Sequence, residues 1–229
     1  MVNVWLRQEP GRGGVRAARK ARTLRVWVLP LLLFVGPVAA LAADLERGRE
    51  LYVLCSSCHG DQGQGDEKRL APLIGGLPAW YLAGQLRKFL AGERGYHPDD
   101  TSGLQMRPMA QAVHRESDLE AVAAYVASLR PDPPRAARTS GDPNRGQTFY
   151  ATCVACHGVD GKGNEALKAP QLVGQADWYL VEQLKKFRSG MRGTAAGDAT
   201  GAQMRAMVNT LPDDAAVEDV VAYIRTLAK

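Results

Sequence analysis

The spacing of hydrophobic residues predicts a chain built from helices. Leu82, Leu86 and Phe89 follow one another at intervals of four and three residues, which places them on one face of a helix. The segments between such stretches are rich in glycine and proline, and no strand-like alternation of useful length occurs. The pattern therefore favours an all-α fold. The main helices predicted in this region are 45–55, 79–91 and 118–129.

The same pattern returns 98 residues later without a gap. Trp-Tyr-Leu at 80–82 recurs at 178–180, and Gln-Met-Arg at 105–107 recurs at 203–205. The period is much longer than the roughly 20–50 residues of a solenoid repeat, so the repeat is a duplicated domain. The second set of main helices is predicted at 145–153, 177–189 and 215–227.

The duplication predicts two tandem domains, 43–130 and 142–229, each with three to five helices. Residues 131–141 between them form a linker, because their prolines favour extended chain and their small polar residues favour a loop. At about 3.1 Å per residue this linker reaches roughly 34 Å. One domain can therefore fold back on the other, and we expect a pseudo-two-fold arrangement.

Residues 1–42 have the pattern of a secretion signal. A basic segment precedes an apolar run at 26–43, and Ala40 and Ala42 provide a small-residue cleavage pattern. We therefore expect a cleaved signal peptide and a mature chain that begins near Ala43. The alternative is an uncleaved membrane anchor, although prolines interrupt the run, which is at the short end for a spanning helix.

The leader also accounts for the positive charge of the chain. The formal net charge is +5, but without residues 1–42 the chain has 22 Lys and Arg against 23 Asp and Glu. A body without excess positive charge gives no support to nucleic-acid binding.

Two Cys-x-x-Cys-His motifs occupy the same place in the two units, and the chain has no other cysteine. Two thiols at this spacing form thioethers to the two vinyl groups of one haem, and the histidine that follows binds the iron. Haem c is attached outside the cytoplasm, which agrees with the leader. The sequence therefore predicts two covalently bound haem c groups. The attachment cysteines are Cys55, Cys58, Cys153 and Cys156, and the histidine ligands are His59 and His157.

Three other uses of these motifs fit less well. A thioredoxin-type dithiol needs a βαβ context, which the helical pattern does not provide. A structural zinc site needs four sulfur or imidazole ligands, and each unit has only three such residues nearby. Two structural disulfides would leave the paired histidines unexplained.

The sixth iron ligand should be a residue that both units contain. His97 aligns with Ala195 and His114 with Pro212, so the remaining histidines do not meet this condition. Two methionines in each unit do meet it, and a thioether is a soft, neutral ligand that raises the reduction potential. The alternative is that the methionines only fill space around the haem; with two in each unit, we expect one ligand and one packing residue. The aligned methionines are Met106 with Met204 and Met109 with Met207.

Taken together, the chain resembles the class I di-haem cytochromes c of the cytochrome c4 type. The resemblance rests on the two haem motifs, the glycines that follow each motif histidine, the Trp-Tyr-Leu helices, the Gln-Met-x-x-Met segments and the C-terminal helix tyrosines, Tyr125 and Tyr223. It covers about residues 44–229. In such proteins the first methionine of the pair is typically the ligand, which implies Met106 and Met204, each 19 residues before the helix tyrosine.

The resemblance also implies residues that support these ligands. The carbonyls of Pro72 and Pro170 would accept a hydrogen bond from the motif histidines, which fixes the orientation of the imidazole rings. Gly48 and Gly146 would let the first helix of each unit approach the third closely.

As a function, the resemblance implies a bacterial periplasmic one-electron carrier between a membrane quinol-oxidising complex and a terminal oxidase. Its partners would be redox proteins, with no nucleic acid and no small-molecule substrate, and a loose association with the membrane stays open. The alternative is an electron-accepting di-haem subunit of a periplasmic dehydrogenase. An enzyme such as a di-haem peroxidase or thiosulfate dehydrogenase is disfavoured, because it would need an iron with an open, His/His or His/Cys site, and the chain has no spare cysteine or duplicated spare histidine.

Overall fold

A computed structural model describes residues 37–132, 134 and 138–227, with side chains from residue 44 onward. Within these residues the regular structure is helical, apart from two isolated β-bridges, Asp66 with Ala71 and Asn164 with Ala169. The predicted all-α class is therefore confirmed. Most of the predicted signal peptide lies outside the described residues, and none of the helices described is long and apolar enough to cross a bilayer.

The helices occur in the same order in both halves of the chain. The middle helix of each half has the bounds predicted from the hydrophobic spacing, and the last helix begins one or two residues earlier than predicted. In the second half the first helix is divided in two. The helices are Pro37–His59 (α1), Ala79–Ala91 (α2), Thr101–Ala110 (α3), Glu116–Ser128 (α4), Pro143–Tyr150 (α5), Val154–His157 (α6), Asp177–Ser189 (α7), Ala199–Val208 (α8) and Asp214–Thr226 (α9).

The helices α3 and α8 lie where the sequence indicated only loops rich in glycine and proline, so that expectation was wrong. Each begins after an aspartate whose carboxylate accepts a backbone N–H of the first turn, Asp100 from Gly103 and Asp198 from Gly201. Pro108 lies inside α3 and hides its helical pattern. A helix of ten residues is marginal alone, so packing against the neighbouring helix of its half stabilises it.

The first and last helices of each half cross in direct backbone contact, α1 with α4 and α5 with α9. A Cβ atom on Gly48 would lie 2.1 Å from the carbonyl oxygen of Ala121, and one on Gly146 would lie 1.9 Å from that of Asp219. Only glycine permits this approach. The close contact expected at both glycines is therefore present.

The two halves contact each other through reciprocal pairs of residues. Lys88 contacts Asp198, and the equivalent Lys186 contacts Asp100. The hydroxyl of Tyr96 hydrogen-bonds that of Thr194, which is the residue at the same place in the other half. Reciprocal contacts of this kind are those that a two-fold relation produces, so the pseudo-two-fold arrangement is confirmed.

Candidate haem sites

A backbone carbonyl orients each motif histidine. Nδ1 of His59 lies 2.8 Å from the oxygen of Pro72, and Nδ1 of His157 lies 2.9 Å from that of Pro170. When Nδ1–H donates this bond, Nε2 carries the lone pair and is available to a metal. Burial lowers the pKa of both histidines, and the bond to the proline carbonyl offsets this only in part. Both imidazoles are therefore neutral at neutral pH, which is the form that binds iron.

A glycine-rich loop brings the proline against the histidine. Gly65 has a φ of +81° and donates its N–H to the carbonyl oxygen of His59 at 2.8 Å. A Cβ atom at Gly65 would lie 2.6 Å from the carbonyl carbon of Pro72. Only glycine accommodates both the left-handed backbone and this close contact. Gly163 has the same role in the second half, with a φ of +82°.

Each histidine lies in the wall of a cavity, one in each half of the chain. Each cavity also contains the two motif cysteines, the proline and a methionine pair, so the ten predicted site residues are brought together as two groups of five. About half of the other wall residues are leucine, valine, isoleucine and aromatic side chains, which suit the apolar ring of a porphyrin. The groups are Cys55, Cys58, His59, Pro72 and Met106 in the first cavity, and Cys153, Cys156, His157, Pro170 and Met204 in the second.

Both methionines of each pair line the cavity, but they differ in exposure. Met109 is 38% exposed and Met207 is 36% exposed, whereas Met106 and Met204 are less accessible. Met204 also packs against the buried core of its half. A loss of Met109 or Met207 therefore removes few buried contacts.

The four motif cysteines have free thiols. Burial and the neighbouring Cys58 raise the pKa of the Cys55 thiol to about 11, and burial raises that of Cys153. No disulfide joins either pair. The described residues also contain no group of three or more His, Cys, Asp or Glu side chains arranged to hold a metal ion.

Between the cavities lie two buried arginines that the sequence analysis did not single out. Arg94 lines the first cavity and Arg192 lines the second, and they are 9% and 7% exposed. Both guanidinium groups donate to Gln85 and Gln183, with distances from 2.7 to 3.2 Å, and Arg94 also donates to Tyr179. The repeat was the available signal, because the two arginines are equivalent under the shift of 98 residues.

The surroundings of these two arginines support the fit of a haem. Within the described chain neither has a carboxylate at ion-pair distance, and Nε of Arg192 is buried without a hydrogen-bond partner. Burial and the neighbouring charge of Arg94 lower the pKa of Arg192, whereas the burial of Arg94 is outweighed by Tyr179, Tyr81 and Asp100, which raise the pKa of Arg94. A haem carries two carboxylate groups beside its apolar ring, and Arg94 and Arg192 would hold such groups from the two cavities.

Comparison with known proteins now places the chain in a class. A family model for cytochrome c matches residues 45–130 and 143–228. The chain belongs to the cytochrome c family, with two tandem domains, and it binds two covalent haem c groups.

Within that family the chain is similar to di-haem electron carriers. Cytochrome c4 of Azotobacter vinelandii is 30% identical over 184 residues, which cover 74% of this chain and 84% of that protein. The thiosulfate dehydrogenase electron acceptor of Thiomonas intermedia is 32% identical over 190 residues, 79% of this chain and 80% of that protein. The crystal structure of reduced cytochrome c4 from Pseudomonas stutzeri matches with a TM-score of 0.63 at 27% identity, over 80% of this chain and 97% of that one. The resemblance to the cytochrome c4 type and the function of a di-haem electron carrier are therefore confirmed.

Proposed function

We propose that this protein passes single electrons in the bacterial periplasm, from a membrane quinol-oxidising complex to a terminal oxidase. One observation carries the proposal: each cavity contains a neutral histidine, oriented by a proline carbonyl, together with a methionine thioether. Such a histidine and methionine would together bind the iron of a haem, and the soft sulfur would favour the reduced metal. Such a site exchanges electrons without binding a substrate.

In this proposal each wall residue has a defined task. The motif cysteines would hold the ring through thioethers, and His59 and His157 would bind the iron through Nε2. Met106 and Met204 supply the sixth ligands, and the apolar walls exclude water. When bound, each haem supplies a reversible one-electron couple.

The domains, the location and the partners complete the proposal. The domains are 43–130 and 142–229, joined by the linker 131–141, and the leader 1–42 is removed on export. The partners are redox proteins of the respiratory membrane. We expect no enzymatic activity, because a histidine and a methionine bound to each iron would leave no open position for a substrate.

The experiment begins with the mature protein purified from a periplasmic extract. A pyridine haemochrome assay should find two haems per chain that acid acetone does not extract, and the oxidised protein should show a sulfur-to-iron band in the near infrared. Membranes supplied with quinol should then reduce the protein, and membranes that contain a terminal oxidase should oxidise it. Extractable haem, or electron exchange with neither membrane, would contradict the proposal.

A second candidate is an electron acceptor for a periplasmic dehydrogenase. The observation that favours it is the similarity to the thiosulfate dehydrogenase electron acceptor of Thiomonas intermedia. Co-purification from solubilised membranes and from the soluble fraction distinguishes the two candidates, because the first predicts a respiratory complex and the second predicts a soluble dehydrogenase.

A further inference from the structure

Each methionine-bearing helix begins with a buried carboxylate. Asp100 is the N-cap residue of α3 and accepts the N–H of Gly103 at 3.0 Å. Asp198 is the N-cap residue of α8 and accepts the N–H of Gly201 at 2.8 Å. A carboxylate at this end also interacts favourably with the helix dipole. These two side chains therefore fix where each methionine helix starts.

A lysine from the other domain contacts each of these carboxylates. Nζ of Lys186, on α7, lies 2.6 Å from Oδ1 of Asp100. Lys88, on α2, forms the equivalent ion pair with Asp198 and also donates to the hydroxyl of Thr200 at 2.6 Å. Each methionine helix is thus fastened at its N-terminal end to a helix of the opposite domain.

Both ion pairs are shielded from solvent. The side chains of Asp100 and Lys186 are 3% and 10% exposed, and those of Asp198 and Lys88 are 1% and 17% exposed. Removal of one partner from such a pair leaves an uncompensated buried charge, which is far more costly than the loss of a surface pair. The N-terminal end of the helix would then shift toward solvent or toward other donors.

The methionines follow these fixed ends closely. Met106 is six positions after Asp100, and Met204 is six positions after Asp198. We infer that Lys88 and Lys186 are positioning residues that act across the domain boundary. Each lysine holds the methionine helix of the opposite domain in place, so the strength of one domain's methionine–iron bond depends on a lysine of the other domain. The inference rests on the proposed function, in which Met106 and Met204 are the ligands.

The two contacts are not equal, because the second domain adds a carboxylate. Glu182 Oε1 lies 2.6 Å from Nζ of Lys186, and Gly84 occupies the equivalent place in the first domain. Removal of Lys186 leaves two carboxylates facing each other, whereas removal of Lys88 leaves one. The first haem should therefore respond more strongly to loss of Lys186 than the second haem responds to loss of Lys88.

The test measures one methionine-ligated haem at a time, in the full-length holoprotein. Met204→His leaves methionine ligation only in the first domain, and Met106→His leaves it only in the second. In the Met204→His background, Lys186→Met should weaken the sulfur-to-iron band, lower the midpoint potential of the first haem and raise its affinity for imidazole about tenfold, the effect of losing one charge-assisted bond. Lys88→Met should leave that haem unchanged. In the Met106→His background the two lysine variants should exchange roles.

Three variants distinguish a role in positioning the methionine helix from a general loss of stability. Asp100→Asn keeps an acceptor for the helix cap but loses the charge, so it should behave like Lys186→Met. Lys186→Arg keeps the ion pair and should restore the values of the parent protein. Lys185→Met, one residue away on α7, removes a lysine that pairs with Glu218 of its own domain and should affect neither haem.

The inference is overturned if a lysine variant that binds both haems changes the haem of its own domain, or changes neither haem. It is also overturned if Lys186→Arg, which retains the charge, behaves like Lys186→Met. Failure of the proposed function has a different signature: the sulfur band of the second haem would then persist in Met204→His itself, before any lysine is changed.

Discussion

The two domains share the residues predicted to bind haem and the lysine and aspartate that pair across the interface, but they differ in how their interiors are stabilised. Asp177 and Asp219 are buried acidic residues of the second domain, with 3% and 2% exposure. The first domain has Ala79 and Ala121 at the equivalent positions. The two domains therefore share their predicted haem ligands and the reciprocal lysine–aspartate pairs, whereas buried carboxylates at these two interior positions occur only in the second domain.

The charges of the second domain hold the linker as well as the helices. The carboxylate of Asp177 accepts the N–H groups of Arg138 and Thr139 and forms an ion pair with Arg225 at 2.6 Å. Ala127 replaces Arg225 in the first domain. The stability of one domain, and its attachment to the linker, can therefore change without any change at its haem site.

The largest effect should come from substitution of the proposed iron ligands. The size of the effect should be the same in both domains. Met106→Ala and Met204→Ala should each remove about half of the sulfur-to-iron band and lower the potential of one haem by more than about 100 mV, a fraction of the roughly 0.8 V that axial ligands control. Both thioether attachments should stay intact.

Met109→Ala is the matched control for the ligand variants. It should retain the low-spin spectrum and cost less than about 2 kcal/mol, because Met109 is already 38% exposed. Loss of the sulfur band in Met109→Ala, with retention in Met106→Ala, would place the ligand one helical turn later in both domains.

Asp177→Ala should lower the stability of the second domain and leave that of the first domain unchanged. It removes the buried carboxylate that accepts two backbone N–H groups and pairs with Arg225, which should cost about 3 kcal/mol in the second domain only. Urea unfolding followed at the two haems measures this. Glu120→Ala, which removes an exposed ion pair of the first domain, should change stability by less than about 0.5 kcal/mol and serves as the control. An equal loss of unfolding free energy in both domains would contradict a stabilising role of Asp177 that is confined to the second domain.

The same aspartate should make the second domain the more acid-sensitive one. Burial would raise the pKa of Asp177, but the hydrogen bonds from Arg138, Thr139 and Arg225 outweigh burial and hold the pKa below its usual range. A depressed folded-state pKa gives stability that is present above the unfolded value of about 3.9 and is lost as the pH falls through the folded value. The stability difference between the wild-type protein and Asp177→Asn should therefore be constant at neutral pH and shrink below about pH 4. A constant difference down to acid-unfolded protein would contradict this assignment.

Substitution of the glycine at the helix crossing should lower the free energy of unfolding by the same amount in both domains. Gly48→Ala and Gly146→Ala each place a Cβ atom against a backbone carbonyl that cannot move aside, and each should destabilise its own domain by about 1–3 kcal/mol. Thermal unfolding of the two variants measures this effect. If one variant is clearly more destabilised than the other, the packing around the helix crossing differs between the two domains.

The smallest expected effect comes from the arginine pair, Arg94 and Arg192. A change at one of these arginines should affect the reduction potentials of both haems. Because Arg94 and Arg192 donate to the same two glutamines, Arg94→Leu should lower the potentials of both haems by tens of millivolts through loss of one positive charge. Redox titration measures both haems together. A shift confined to one haem would show that each arginine serves only its own cavity.

The sequence predicted the helices and site residues whose signal is local. The Cys-x-x-Cys-His motifs and the apolar face of Leu82, Leu86 and Phe89 are contained in short segments, so periodicity and spacing were sufficient. Helix α3 was missed because Pro108 and Gly103 mask its pattern, and packing rather than propensity stabilises it. The lysine–aspartate pairs could not be predicted either, because they join residues 86 and 110 positions apart through the domain interface.

The reciprocal interface bears on how such a chain can arise. A single domain carries both halves of each contact, since Lys88 and Asp100 lie in the same domain. Two identical copies can therefore pair through this surface as a homodimer, each supplying a lysine and an aspartate. When residues 131–141 join the two copies, their association becomes intramolecular. It then no longer depends on protein concentration. Once joined, each copy can mutate alone, so one copy can have Glu182 where the other has Gly84.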